Sequence, residues 1–268
     1  MQVQQFAVPE VLQAHVRYFW TMESTAAAAS FRTIVDGCPG LLFQHGAAGL
    51  QPQAGKPWTR LLLHGQATQP LEVVADEPFR LIGMCLQPGA LASVFGLEAE
   101  ELTDSCLDPD LLAAAPGFRL AERLGNADSV AGQLEQLTAY LQVAINRQGA
   151  APAPCIDQAV QRIAAASGGL NLRQLQDELQ LSERSFQRKF KQRVGVSPKM
   201  FARICQFQES LGQLRRAEYE KLSDVAYAHE YADQSHYIRA FREFAGSTPQ
   251  QFRQQARGQV ENFPALRR

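Results

Sequence analysis

The stretch Ser182-Glu183-Arg184-Ser185-Phe186-Gln187-Arg188-Lys189-Phe190 returns 51 residues later as Asp233-Gln234-Ser235-His236-Tyr237-Ile238-Arg239-Ala240-Phe241. Ser182 and Asp233 are both good helix N-caps, because each side-chain oxygen can accept an orphan backbone N–H of the first turn. Phe186/Phe190 and Tyr237/Phe241 are i,i+4 aromatic pairs, which give each helix one apolar stripe. Arg188 and Arg239 fall at matching places. The correspondence continues downstream. Gly195 matches Gly246 as a helix stop, Ser197-Pro198 matches Thr248-Pro249 as a hydroxyl cap followed by proline in the first turn, and Phe201 matches Phe252.

A short amphipathic helix precedes each capped one. Leu172, Leu175 and Leu179 share a face in the first copy, and Leu222, Val225 and Ala226 in the second. The turns between are Gln180-Leu181 and Glu230-Tyr231-Ala232, the second one residue longer. Helix, short turn, capped helix is the helix-turn-helix arrangement. A longer helix from Pro198, with Phe201, Ile204, Phe207, Leu211 and Leu214 at helical spacing, joins the two units. Another, carrying Ile156, Ala159, Val160 and Ile163, precedes them and stops at Gly168-Gly169. The second half is therefore expected to be all-α, with about seven helices.

The whole chain of 268 residues carries a net charge of −1, with 46 % hydrophobic and 20 % charged residues. Such a composition excludes a disordered or collagen-like chain. No apolar run reaches the length of a membrane span, and no signal peptide is visible at the N-terminus, so a cytoplasmic location is expected. The small net charge hides an asymmetry. Gly149-Ala150-Ala151-Pro152-Ala153-Pro154 reads as a linker. Residues 1–150 hold eight Lys/Arg against fifteen Asp/Glu, and residues 151–268 hold eighteen against twelve. An acidic half and a basic half point to a polyanion partner for the second. Seven cations (Arg184, Arg188, Lys189, Lys191, Arg193, Lys199, Arg203) and a single acid, Glu183, lie between residues 182 and 203. A helix face exposed only to water would mix the signs.

With these residues in view, the segment Tyr231-Ala232-Asp233-Gln234-Ser235-His236-Tyr237-Ile238-Arg239-Ala240-Phe241-Arg242 resembles the most characteristic stretch of the AraC-type transcriptional regulators, and the resemblance covers about residues 155–256. It implies a tandem helix-turn-helix domain that binds promoter or operator DNA, with RNA polymerase and a small-molecule effector as further partners. Family members usually place glycine in each turn, where this chain has Gln180 and Glu230. The first half resembles, less sharply, the sensor-type half of many such regulators. The matching pieces are Val16-Arg17-Tyr18-Phe19-Trp20, Asp36-Gly37-Cys38-Pro39-Gly40-Leu41-Leu42-Phe43, Leu63-His64-Gly65-Gln66-Ala67-Thr68 and Gln87-Pro88-Gly89-Ala90-Leu91.

Short apolar runs at 31–35, 41–44, 60–64, 71–74 and 80–86 read as strands. The resemblance implies a small β-barrel or jelly-roll-like sheet, with helices near 88–95 and 109–147. The expected architecture is thus α+β. It comprises a sensor or dimerisation domain at 1–148, a linker at 149–154, the DNA-binding domain at 155–256 and a tail at 257–268. Val130, Leu134, Leu137, Leu141 and Ile145 make residues 129–145 an amphipathic helix. It either packs on its own sheet or, as the resemblance suggests, forms a homodimer.

The capped helices are expected to enter successive major grooves of one DNA face, roughly 34 Å apart. Arg184, Gln187 and Arg188 match family base-contacting positions on the first, with Ser185 beside them. Their chemistry suits base edges, since arginine can bond guanine bidentately and glutamine adenine. Lys191 and Arg193 are expected to meet phosphates. On the second helix Gln234, Ser235, His236 and Arg239 match the reading positions, and Arg242 is a phosphate candidate. Arg188 and Arg239 could instead brace neighbouring helices by salt bridges, and His236 could bond within its own first turn.

No catalytic residue, cofactor or metal site is identified. The five cysteines have no CxxC pairing, and His15, His45 and His64 are too dispersed in sequence to identify a metal site. The reading is a binding protein without chemistry of its own. Two alternatives stay open: an enzyme with a DNA-targeting helical domain, using Cys38, Cys85 or Cys106 as nucleophile, and a protein-interaction adaptor.

Overall fold

The computed structural model describes residues 1–26, 28–46, 50–53, 58–112, 114–148 and 153–256. The first half is built on two antiparallel sheets. β1 (Gln2–Phe6), β2 (Val16–Ser24), β8 (Phe79–Leu86), β4 (Gly40–His45), β6 (Leu61–His64) and β9 (Cys106–Leu107) lie in that order in the larger. β3 (Ala29–Arg32), β7 (Glu72–Ala75) and β5 (Gln51–Pro52) form the smaller. β2 and β8 are long partners, with Trp20 opposite Gly83. Residues 40–44 of β4 are all buried, as expected of a strand covered on both faces. One face packs Phe19, Phe43, Leu63 and Met84 against helical residues Leu137, Tyr140 and Leu141. Met22, Phe31, Val73 and Phe79 fill a second cluster with residues of both sheets.

The structure departs from the sequence expectation in three places. β1, β2, β5 and β9 lie outside the apolar runs read as strands, because β1 is mostly glutamine, β2 is interrupted by Arg17, Thr21 and Glu23, and β5 and β9 are only two residues long. The expected helix near 88–95 is only one wide turn, Leu91–Phe95, closed by left-handed Gly96. The helical stretch 109–147 is broken into a turn at Pro109–Leu111, α1 (Leu120–Asn126) and α2 (Val130–Gln148). The break is enforced by caps. The Asp110 carboxylate accepts from Leu120 N and Ala121 N at 3.0 and 3.2 Å, and Ser129 Oγ accepts from Gly132 N at 3.1 Å.

α2 puts Leu137, Tyr140, Leu141 and Ala144 into its own domain's core, with Val130, Leu134 and Ile145 beside them. Of the expected linker, residues 149–152 lie outside the described residues, and Pro154 opens α3 (Pro154–Ala165). The expected tail at 257–268 also lies outside them.

Six further helices follow: α4 (Leu172–Glu178), α5 (Glu183–Val194), α6 (Pro198–Arg216), α7 (Leu222–Ala228), α8 (Gln234–Ala245) and α9 (Pro249–Ala256). Every expected cap forms. Ser182 Oγ accepts from Ser185 N, Ser197 Oγ from Met200 N and Asp233 Oδ1 from His236 N. Thr248 and Gln251 cap α9 reciprocally. Phe186 and Phe190 pack with Leu175 and Phe201, while Tyr237 and Phe241 pack with Val225 and Phe207, so the two units use equivalent apolar stripes. α6 contributes to both clusters.

Gln180 and Glu230 stand at φ +53° and +57°. The glycine-like conformation is therefore retained without glycine. Leu181 N donates to Gln176 O and Tyr231 N to Ala226 O, the long closing bond of a Schellman stop. Each sets an apolar residue just past the turn, Tyr231 buried in one core and Leu181 half-buried against the other. That burial offsets a left-handed strain of about 1–2 kcal/mol per residue. Gln206 Nε2 also donates to His229 O at 2.7 Å, pinning the second turn to α6. Gln180→Gly is accordingly expected to stabilise the chain by about 0.5–1 kcal/mol, the strain relieved less the entropy glycine adds to the unfolded chain. A higher denaturant midpoint at unchanged slope is the measurement. A lower midpoint would refute the strain.

Candidate nucleic-acid interface

α5 presents two chemically distinct sides. Phe186, Phe190 and Val194 are buried, so Arg184, Gln187, Arg188 and Lys191 must project outward. They line an open groove with Ser182, Glu183 and Ser197. Ser185 lies half-buried beside them. Gln187 and Arg188 are held extended along the helix by i,i+4 bonds, Gln187 Nε2 to Glu183 Oε1 (3.1 Å) and Arg188 Nη1 to Gln192 Oε1 (3.3 Å). A second depression on the other side of Gln187 is lined by Arg173, Gln176 and Lys199, among others. Arg173 went unnoticed in the sequence because it sits in the shorter helix of the unit. The signal was an exposed arginine two residues past the Asn171 cap, where backbone N–H groups already favour an anion.

α8 repeats the arrangement. Tyr237, Ala240, Phe241 and Phe244 are buried, and Gln234, Ser235, Arg239 and Arg242 are exposed. His236 is half-buried, its ring edge-on to Tyr231 at 5.3 Å. Its Nδ1 accepts from Ala232 N at 3.4 Å. That bond reaches back into the turn before α8 rather than within the helix's own first turn, and it engages Nδ1 rather than Nε2.

Among the described residues Arg184, Arg188, Arg239 and Arg242 form no ion pair. The bracing role weighed for Arg188 and Arg239 is instead filled by other residues. Arg193 pairs bidentately with Asp157 at 3.0 and 3.1 Å, ties α5 to α3, and its side chain is 13 % exposed. It is therefore a structural arginine, and its expected phosphate contact is withdrawn. Arg203 likewise bridges α6 to Glu243 of α8. Lys191 is exposed, and its Nζ lies 3.4 Å from Glu100 of the first half.

The two halves meet at the far ends of these helices. Gly195 and Gly246, equivalent stops of the repeat, are both left-handed, and both carbonyls accept from the first half at 2.7 Å. Thr103 Oγ1 donates to Gly195 O, and Arg32 Nη1 to Gly246 O. A side chain at Gly195 would meet Ala99 O and Thr103 Oγ1 at about 3 Å. Between these points runs the segment 33–38. Val35 N donates to Phe244 O of α8 at 3.0 Å, and Val35 O accepts from Gln208 of α6 at 2.6 Å. The Val35 side chain is fully buried in the core of the second helix-turn-helix unit.

The cysteines are not scattered in space. Donor atoms of Asp36, Cys38 and Cys85 lie within 4.8 Å of one another. The sequence reading missed this, because the two cysteines come together only when β4 pairs with β8. Arg17 Nη1 sits on Cys38 Sγ at 2.8 Å, and that fixed positive charge makes the group a poor host for a cation. His15, His45 and His64 each have a protein partner: Ser93, Gln133 and the Gly65 carbonyl.

A helix-turn-helix domain family model matches residues 175–255, the segment that holds both capped helices. The second half of the chain therefore carries a helix-turn-helix domain. Residues 4–108 match a domain of unknown function, DUF6597. No curated protein matches the sequence. Among solved structures, ToxT from Vibrio cholerae shares the fold at 11 % identity and a TM-score of 0.50, over 94 % of this chain and 98 % of that one. ToxT bound to (E)-4-(8-methylnaphthalen-1-yl)but-3-enoic acid matches at 11 % identity and TM-score 0.49, over 94 % and 98 %. Unsaturated fatty acid bound wild-type ToxT matches at 12 % identity and TM-score 0.46, over 87 % and 92 %. The chain is α+β, as expected, with a β-rich first half and a helical second half that holds the helix-turn-helix match. No described helix is long and apolar enough to cross a membrane.

Glu100 and Glu98, the latter 3.5 Å from Gln192, bring acid to the end of the basic helix. Exposed pairs of this kind contribute up to about 1 kcal/mol. Replacing both glutamates by glutamine is expected to tighten binding to random duplex by about two- to fivefold at low salt. Unchanged affinity across a salt titration would show that Lys191 is not restrained.

Proposed function

We propose that this regulator reads a bipartite operator, one box through α5 and one through α8, within a single chain. The observation that carries the reading is the repeat itself: two capped helices with arginines 188 and 239 at equivalent outward positions, neither taken up by an ion pair. α6, at 19 residues, spans roughly 28 Å, close to the roughly 34 Å between successive major grooves. Arg184, Gln187 and Arg188, with Ser185 at the helix start, read bases of the first box. Lys191 meets a phosphate. Gln234, Ser235, His236 through Nε2, and Arg239 read the second box, and Arg242 meets its backbone. Residues 155–256 are the DNA-binding domain and 1–148 the sensor, with no catalysis by either.

A signal at the first half acts by changing how it holds Gly195 and Gly246, since those contacts fix the relative aim of the two reading helices. The effector is a small molecule or a partner protein, RNA polymerase included. Of the dimer reading of residues 129–145, only the outward face of α2 remains available, where Val143 is 45 % exposed. Leu137 and Leu141 are taken up by the domain's own core.

Selection of bound sequences from random DNA with the full chain should return two short boxes about one helical turn apart. Arg184→Ala or Arg188→Ala should weaken binding by roughly 1–3 kcal/mol and relax preference within one box only. Arg239→Ala should do the same in the other. Lys191→Ala should weaken all sequences alike and lower the salt slope by about one. Unchanged affinity in the Arg188→Ala/Arg239→Ala double variant would overturn the assignment. Absence of any enriched site would favour an adaptor.

A further inference from the structure

Cys38 and Cys85 form a buried group that DNA binding does not use. They lie on neighbouring segments of the larger sheet. Gly40 of β4 pairs with Cys85 of β8, and Leu86 N donates to Pro39 O, which brings the residue before Pro39 alongside. Arg17 comes from β2 on the other side of β8 and places its guanidinium on the Cys38 sulfur. Tyr18, next to Arg17, faces Cys85, and the Asp36 carboxylate accepts from Cys38 N at 2.9 Å. Such a set is expensive to bury unless it is used, because a desolvated arginine needs an anion.

The geometry points to Cys38 and Cys85 as a thiol pair that a hydroperoxide oxidises to a disulfide, at the point where the first half straps onto the DNA-binding domain.

The assignment of roles follows from the surroundings. A hydrogen bond from Cys85, together with the Arg17 guanidinium, holds the Cys38 thiol below its ordinary range. Burial and the adjacent Cys38 sulfur push Cys85 well above it. Cys38 is therefore the attacking thiolate and Cys85 the resolving thiol. In the first step the Cys38 sulfur attacks one peroxide oxygen. An S–O bond forms, the O–O bond breaks, and the leaving oxygen departs as water or an alcohol after taking a proton. Cysteine is oxidised to sulfenic acid and the peroxide is reduced. In the second step Cys85 loses its proton and attacks the sulfenic sulfur. An S–S bond forms, the S–O bond breaks, and hydroxide leaves and is protonated to water. The side chains are 2 % and 5 % exposed, so the oxidant must be small and uncharged.

The output is mechanical. Gly37, at φ +77°, packs against Ile204 and Phe201 of α6, and its carbonyl accepts from Gln66 at 2.6 Å. Closing Cys38 onto Cys85 pulls on the same segment whose Val35 bonds both α6 and α8.

The test uses the full chain carrying Cys106→Ser, Cys155→Ser and Cys205→Ser, treated with stoichiometric hydrogen peroxide. The expected product has lost two hydrogen masses and gives a Cys38–Cys85 linked peptide. With Cys85→Ser added, the product gains one oxygen at Cys38, captured by a sulfenic-acid probe. With Cys38→Ser added, neither product forms. Arg17→Gln should slow the first step severalfold, because the Cys38 thiolate loses its neighbouring cation. If that variant does not fold, the two serine variants alone decide. Exchange of the Val35 amide should accelerate at least about tenfold on oxidation. No linked peptide under conditions that oxidise Cys106 in the unsubstituted chain would overturn the proposal. So would a co-purified zinc or copper ion that accounts for both thiols. Unchanged Val35 exchange would overturn the mechanical output.

Discussion

The two hydrogen bonds of Val35 set the relation between everything else. A backbone amide and carbonyl that cross from one half into the core of the other cannot be left unmade cheaply, since each buried unpaired group costs about 1–3 kcal/mol. With Val35 fixed to Phe244 of α8 and Gln208 of α6, the segment 33–38 is no longer a connector of the first half. It is an extra layer of the second. Thr103 and Arg32 then reach the stops of α5 and α8. α5 and α8 are thus each held at the C-terminal end by the acidic half, while the N-terminal end of each stays exposed. The duplicated DNA-binding domain gets its internal geometry partly from outside itself.

That arrangement explains what could and could not be read in the sequence. The helical half was legible because its signals are local. N-cap hydroxyls, i,i+4 aromatics and the Ser/Thr-Pro starts act within one turn, and all of them are realised. Even the extra residue of the second turn, Ala232, could be counted. The turns at Gln180 and Glu230 looked like departures, yet they keep the left-handed conformation, because burial of Leu181 and Tyr231 outweighs the missing glycine. The β half was less legible. β1 is mostly glutamine and β2 is interrupted by Arg17, Thr21 and Glu23, and a short strand such as Cys106–Leu107 exists only because β6 offers it an edge.

The long-range features left no sequence signal. Arg193 stands in a row of cations and reads like its neighbours, but Asp157, far upstream, claims it. Cys38 and Cys85 look unrelated until β4 and β8 pair. Segment 33–38 reads as the end of an apolar run, whereas the structure uses its backbone as the docking element.

The electrostatics gain a sharper meaning from this. The −1 of the whole chain is an acidic half bound to a basic one, yet few charges meet across the junction. Among the described residues Glu100 with Lys191 is the ion pair that crosses it, and it is partly exposed. The junction is instead held by backbone acceptors and by Val35, contacts that salt does not screen. Ionic strength therefore acts mainly on the outward face of α5, where the cations are dense. α8 offers more neutral polar groups than charges. In the proposed bipartite reading, the first box supplies most of the salt-sensitive affinity and the second supplies discrimination. The spacing between them is under the control of a junction that salt leaves intact. On that proposal the chain can change its preference for two boxes without losing its hold on DNA, because the element that sets the spacing is separate from the charges that set the affinity.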